Sequence, residues 1–380
     1  MGLTSKKVLL AAALLALALF ILTVWLWPRL SRRGLVPVLG RVGILLGTQL
    51  SLIAAIGLAV NTSFGFYASW ADLFGRNTTP GVVVDHGLGS PQDGGMRVLG
   101  TVHQGAPAGS ARHGGLIQQV ALAGGASKIT SKAYVYLPPE YFREPAARFP
   151  ALLVLTGYPG TAEALYKKLR YPAVNAGQVR AGRARPMVMV MMRPTVAPPR
   201  DTECTDVPGG PQTETYFARD VPAQITARYR VSPGARNWAV IGDSTGGYCA
   251  LKLALRDPGS FSVAVGLSAD YGAPQDATTG DLYGGSDRRR RENDLMWRLR
   301  HLPHPPVSLL VTSSRKGEHN YRATLRFIAA AGAPTHVSSI ILPSGGHNFN
   351  TWKREVPAAL EWISARLGGT AAEGPASRAR

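Results

Sequence analysis

The stretch Trp238-Ala239-Val240-Ile241-Gly242-Asp243-Ser244-Thr245-Gly246-Gly247-Tyr248 decides how this 380-residue chain reads. Four apolar residues, 238–241, predict a short strand buried on both faces. Gly242 to Gly246 then spell G-x-S-x-G, and 248–255 reads as a helix. In that strand–turn–helix setting the turn holds the serine in a strained conformation at the tip of a sheet. Glycines on either side let the helix pack close behind it. Ser244 is the candidate nucleophile.

A serine hydroxyl attacks only when a base takes its proton, and the base needs an acid to orient it. Downstream, residues 339–342 predict a last strand, followed by Pro343-Ser344-Gly345-Gly346-His347-Asn348-Phe349. His347 sits on a glycine-hinged loop at a strand's carboxyl end and is the candidate base. Between serine and histidine, the strand predicted at 307–312 leads into Ser313-Ser314-Arg315-Lys316-Gly317-Glu318. Glu318, 29 residues before His347, is the candidate acid. Asp270, after the strand at 262–267, is the alternative. Asp243 adjoins the nucleophile too closely to orient the far side of the imidazole.

The negative oxygen that forms during acyl transfer needs two backbone N–H donors. Thr245, the residue after the serine, is the first. The second is expected from Thr156-Gly157-Tyr158-Pro159-Gly160, after the strand predicted at 151–155, and is assigned to Tyr158. His86-Gly87 and His113-Gly114-Gly115 look similar but follow no comparably buried strand.

Further outward, short apolar runs at 151–155, 187–192, 238–241, 262–267, 307–312 and 339–342 alternate with helix-like spacers. That rhythm predicts an α/β class protein with a mostly parallel sheet and crossover helices. Upstream, 81–85, 97–102 and 116–122 read as strand-like pieces within a glycine-rich connector.

Several segments resemble the esterase branch of the α/β-hydrolases, which includes esterase D-type enzymes and the antigen 85 mycolyltransferases. The resemblance covers residues 133–367. It rests on Tyr136-Leu137-Pro138-Pro139-Glu140-Tyr141, on Glu214-Thr215-Tyr216-Phe217 with Asp220-Val221-Pro222, on Asn293-Asp294-Leu295-Met296, and on the histidine loop through Trp352. It implies an α/β-hydrolase fold, a Ser244–Glu318–His347 triad, and ester hydrolysis or acyl transfer with no cofactor and no metal. The oxyanion turn departs from the pattern. Thr156-Gly157-Tyr158-Pro159 stands where the mycolyltransferases have Asp-Gly-Leu-Arg and the wider esterases His-Gly, so the acyl acceptor does not carry over. A non-catalytic envelope-binding module on the same scaffold is the competing expectation.

The N-terminus has a different composition. Residues 8–27 and 42–60 are apolar and uncharged, each long enough to cross a hydrocarbon core of about 30 Å as a helix. Lys6 and Lys7 precede the first run, and Arg29, Arg32, Arg33 and Arg41 lie between the two. The excess of positive charge between the runs predicts that this loop is cytoplasmic, with the rest of the chain outside. The domain expectation is a membrane anchor at 1–60, a connector at 61–130, the hydrolase domain at 131–367 and a disordered tail at 368–380.

The chain carries 42 Lys+Arg against 23 Asp+Glu, a net charge of +19. No nucleic-acid-binding motif accompanies that excess, so no nucleic-acid partner is expected. Expected partners are an ester or acyl-donor substrate and membrane lipids around the N-terminal helices. The cluster Arg288–Arg291 is either a solvated helix face or a contact for anionic headgroups or envelope polymers. Cys204 and Cys249 either pair or remain free thiols, and both readings stand at this point.

Overall fold

The computed structural model describes residues 6–31, 34–64, 95–102, 111–196 and 200–368. The chain divides into two units, Met1–Asn77 and Thr78–Arg380. The strand expected at 81–85 and the tail expected from 368 lie outside the described residues, except for Gly368.

The first unit is a pair of helices, α1 (Lys6–Leu30) and α2 (Leu35–Phe64). Both exceed the apolar runs that predict them, so Arg29 falls in the last turn of α1 and Arg41 within α2. At 1.5 Å per residue even the shorter helix spans about 37 Å, enough for a hydrocarbon core. Among the described residues two stretches are apolar enough to cross a membrane, Lys7–Leu30 and Leu35–Asn61, with 18-residue windows of mean hydropathy 2.8 and 2.0. Three hydroxyls among their few polar groups find acceptors within the pair, with Ser51 Oγ donating to the Thr48 carbonyl. Thr23 Oγ1 donates to the Leu19 carbonyl, Thr48 Oγ1 to the Ile44 carbonyl, and the two hydroxyls lie 2.9 Å apart. Such pairing is what a lipid environment demands of a hydroxyl.

The second unit is built on one nine-stranded sheet: β1 (Met96–Val102), β2 (Leu116–Ala123), β3 (Thr130–Leu137), β4 (Ala151–Leu155), β5 (Val188–Met192), β6 (Trp238–Asp243), β7 (Val263–Leu267), β8 (Ser308–Ser314) and β9 (His336–Leu342). The spatial order is β1-β2-β3-β5-β4-β6-β7-β8-β9. From β5 to β9 neighbouring strands are parallel, while β1, β2 and β3 are antiparallel additions at one end. Thus β1 and β2, read from sequence as pieces of a connector, extend the main sheet. A two-stranded piece has too little apolar surface to stand alone, and β3 offers β2 a partner over its full length.

Strand residues divide between two cores by their period of two. Leu153, Leu155, Val240 and Val311 face one apolar layer, which includes residues of the helix Thr245–Arg256. Leu152, Val154, Ile241 and Leu310 face the other, with Val356, Leu360 and Ile363 of the helix Phe349–Ser364. This is the mostly parallel sheet with crossover helices that the alternation of strands and helical spacers predicts, in the α/β-hydrolase arrangement that the resemblance implies. The chain leaves β4 toward one edge, forms β5, and returns to place β6 on the other side of β4. A crevice opens at the carboxyl ends of strands where the order reverses in this way. Here those ends are Leu155 and Asp243.

Candidate active site

Ser244 follows β6 directly and adopts φ 54°, ψ −122°, outside the regions that L-residues ordinarily occupy. Its neighbours make that geometry possible. A Cβ at Gly242 would lie 2.2 Å from the carbonyl carbon and oxygen of Gly246, and one at Gly246 would lie 2.4 Å from the Leu155 carbonyl oxygen. Only glycine fits at either position, which explains both fixed glycines of the motif.

His347 is brought to Ser244 by the loop between β9 and the helix Phe349–Ser364. Its Nε2 lies 2.8 Å from Ser244 Oγ across 103 residues of chain. Asn348 caps the helix that follows, its side chain accepting from the N–H groups of Asn350 and Thr351. The ring of Trp352, one turn into the helix, stands edge-on to His347 at 5.3 Å. Although His347 as a residue is exposed, protein packed about its ring withdraws water from the charged form and lowers its pKa. Glu318 opposes that effect, and Asp270 opposes it less.

The two candidate acids are placed very differently. Glu318 is 9% exposed on the loop after β8, which is tied to the histidine loop by a hydrogen bond from Gly345 N–H to the Lys316 carbonyl. Its Oε1 accepts from Ser268 Oγ–H, and Ser268 Oγ accepts in turn from Trp352 Nε1–H at 2.8 Å. Its Oε2 is buried without a hydrogen-bond partner among the described residues. Asp270 has a side chain 72% exposed, and its nearest ionic partner is His319 at 3.7 Å. Sequence reading missed the Trp352–Ser268–Glu318 chain. Ser268 also takes a positive φ of 50°, and nothing in Ser268-Ala269 distinguishes it from any other strand end.

On the other side of Ser244 lies the turn after β4. Gly157 donates its N–H to Asp243 Oδ2 at 2.9 Å. Asp243 is wholly enclosed, and burial pushes its carboxyl pKa up to about 7 against the pull of that N–H. The residue set aside from the triad on grounds of proximity therefore pins the turn from which the second oxyanion donor is expected. Tyr158 is next in the chain and lines the same cavity as Ser244 and Thr245. Thr245 opens a helix, so the helix has no carbonyl four residues back to accept its N–H. Cys204 and Cys249, left open by the sequence, form a disulfide that joins the loop beside the cavity to the helix behind Ser244.

Residues 127–363 match the model of the family described as "Putative esterase". An uncharacterized protein of Corynebacterium glutamicum is 26% identical over 290 residues, which cover 69% of this chain and 65% of that relative. The chain thus matches just under two thirds of that relative's length. Among solved structures, a ferulic acid esterase superposes with a TM-score of 0.56 at 19% identity, covering 66% of this chain and 97% of the esterase. An S-formylglutathione hydrolase from Agrobacterium tumefaciens gives 0.55 at 16% identity, covering 71% and 100% of the two chains. A fluorophosphonate-binding serine hydrolase of Staphylococcus aureus gives 0.52 at 16%, covering 66% and 98%. These likenesses establish the fold.

Proposed function

The chain belongs to the Putative esterase family, and from that premise we propose that it is a membrane-anchored serine hydrolase of carboxylic esters. The observation that carries the reading is the 2.8 Å contact between His347 Nε2 and Ser244 Oγ at the tip of β6. His347 takes the hydroxyl proton as Ser244 Oγ bonds to the ester carbonyl carbon. The carbon–alkoxy bond then breaks, and the alcohol leaves with the proton that His347 gives back. Water, activated by the same imidazole, releases the acid and restores Ser244.

With Nε2 turned to the serine, Nδ1 is left for a carboxylate. Glu318 is assigned that part, since it is buried, is fixed by Ser268 and retains an unpartnered oxygen. The N–H groups of Thr245 and Tyr158 are assigned to the oxyanion. An alcohol replacing water as acceptor would make the same acyl-enzyme a transferase. Incubation with a p-nitrophenyl ester and a series of alcohols separates the two. Hydrolysis predicts free acid as the product throughout, and a new ester in high yield overturns it.

The helix pair is assigned to the membrane, with the positive segment between α1 and α2 cytoplasmic and the catalytic unit outside. The Cys204–Cys249 disulfide supports that side, because such bonds persist in oxidising compartments. Protease added to intact cells should degrade the catalytic unit. Its protection would overturn the orientation.

A further inference from the structure

The cavity that opens on Ser244 has a volume of about 670 Å³ and is acidic. Among the described residues that line it are Asp201, Glu203, Asp270, Asp276 and Asp294, against one basic side chain, Arg326. In a chain of net charge +19, this is the opposite of what composition alone predicts for an arbitrary surface. Arg193 near Asp201 and Lys252 near Glu203 offset part of that charge. Glu203 is 8% exposed, and its Oε2 has no hydrogen-bond partner among the described residues. The nearby ammonium of Lys252 is directed elsewhere. It donates to the Glu203 main-chain carbonyl and to Thr205 Oγ1, and it pairs with Glu214 at 3.7 Å.

Asp201 bridges this cluster to the catalytic turn. Its Oδ1 accepts from the Glu203 N–H, and its Oδ2 lies 3.4 Å from Thr245 Oγ1. Glu203 and Cys204, which follow it, both hold positive φ, at 47° and 49°. A backbone in that conformation at two non-glycine residues persists only where the surroundings enforce it. The Cys204–Cys249 bond supplies such a restraint. Burial raises the pKa of both carboxyls, Asp201 to about 6; the Asp276 charge adds to the rise at both and the Asp201 charge adds to it at Glu203, so a positive neighbour favours their charged forms. No group of three or more His, Cys, Asp and Glu among the described residues is arranged to hold a metal ion. An organic cation meets the same electrostatic demand without requiring tight coordination.

We infer that the ester taken by this site carries an ammonium group, bound beside Asp201 and Glu203 while its carbonyl lies at Ser244. This rests on the serine hydrolase reading above and names its substrate class. The cation can belong to either half of the ester, because the cavity adjoins the serine on a side that acyl or alkoxy groups could enter. A carboxylate set near a desolvated ammonium favours it over a neutral group of equal shape, and salt weakens the preference where the pair is partly exposed.

Two matched substrate pairs test this on the full-length protein in detergent. Butyrylcholine and 3,3-dimethylbutyl butyrate differ by a charge in the alcohol, and ethyl 6-aminohexanoate and ethyl heptanoate by a charge in the acyl chain. The cationic member of at least one pair should show kcat/KM higher by roughly tenfold or more. The preferred pair identifies the half that carries the cation. The cationic-to-neutral ratio should fall in Glu203→Gln. It should also fall in Asp276→Asn, a variant chosen because all three hydrogen bonds to the Asp276 side chain end on Oδ1 and an amide oxygen can keep them. Fluorophosphonate labelling of Ser244 in each sample reports whether the catalytic site is intact. Labelling with equal or better turnover of the neutral member in both pairs overturns the ammonium assignment and leaves the hydrolase reading standing. Absence of labelling overturns both.

Discussion

The backbone N–H of Gly157 donates to Asp243 Oδ2 at 2.9 Å, joining the turn after β4 to the residue immediately before Ser244. One carboxyl group thereby fixes the oxyanion turn to the nucleophile turn. The Gly157 amide is committed in this way, and the proposed assignment of the oxyanion goes to the next residue, Tyr158, which lines the cavity with Ser244. Replacing Asp243 by Ala leaves the Gly157 N–H without its acceptor and should lower kcat by roughly 10- to 100-fold, with a smaller effect on KM. Asp243→Asn, which keeps an acceptor oxygen, should lose much less. Steady-state kinetics of the two variants against a simple ester checks this, and equal losses would contradict it.

The same residue sets a pH dependence of stability. Its carboxyl rises from the ordinary 3.8 to about 7 on folding, because burial disfavours the charge. The native state thus holds a proton that the unfolded chain releases. The associated stability is complete below the unfolded value and is lost as pH rises through about 7. Asp243→Asn removes that loss. Thermal inactivation midpoints should therefore fall less for the variant than for the wild type between pH 4 and about 7.5.

His347 acts as a base only when neutral, and loss of hydration lowers its pKa. The acid limb of kcat/KM should therefore lie below the unperturbed histidine value of about 6.5. Glu318 is the larger of the two carboxylate influences that hold the pKa up. Glu318→Gln should move the limb to still lower pH while reducing kcat by roughly 10²- to 10⁴-fold. Asp270→Asn should move it less. A pH–rate profile in which Asp270→Asn gave the larger effects would transfer the acid's part to Asp270.

Cys204 and Cys249 are separated by 45 residues in sequence, and cross-links closing loops of that size commonly stabilise by about 2–4 kcal/mol. A Cys204→Ser, Cys249→Ser double variant should inactivate at lower temperature than the wild type. Since Cys204 follows Glu203 and Cys249 lies in the helix that begins at Thr245, esterase activity should weaken before the far-ultraviolet circular dichroism changes. Simultaneous loss of both would place the effect in the whole fold.

The features legible in the sequence are those with strong local signatures. The period and length of the apolar runs predict β4 to β9, and the glycines around Ser244 predict the elbow because nothing larger fits there. His347 is legible from its place after the last strand. The antiparallel strands β1 and β2 are legible as strand-like pieces but not as members of the main sheet, because the pairing of β1 with β2 and of β2 with β3 is tertiary and follows no local pattern. Ser268 and Asp243 carry no signature at all. Their parts depend on which distant N–H or O–H arrives beside them, from Trp352 in one case and Gly157 in the other. The positive φ at Glu203 and Cys204 is likewise a product of the assembled loop.

The central claim is that Ser244 is a nucleophile made reactive by His347. Intact-protein and peptide mass spectrometry after exposure of the full-length chain to a fluorophosphonate tests it directly. The account predicts one adduct, on Ser244, absent from Ser244→Ala and formed at least about 100-fold more slowly in His347→Ala. A wild-type protein that acquires no adduct, or acquires it at another residue with Ser244 unmodified, would contradict it.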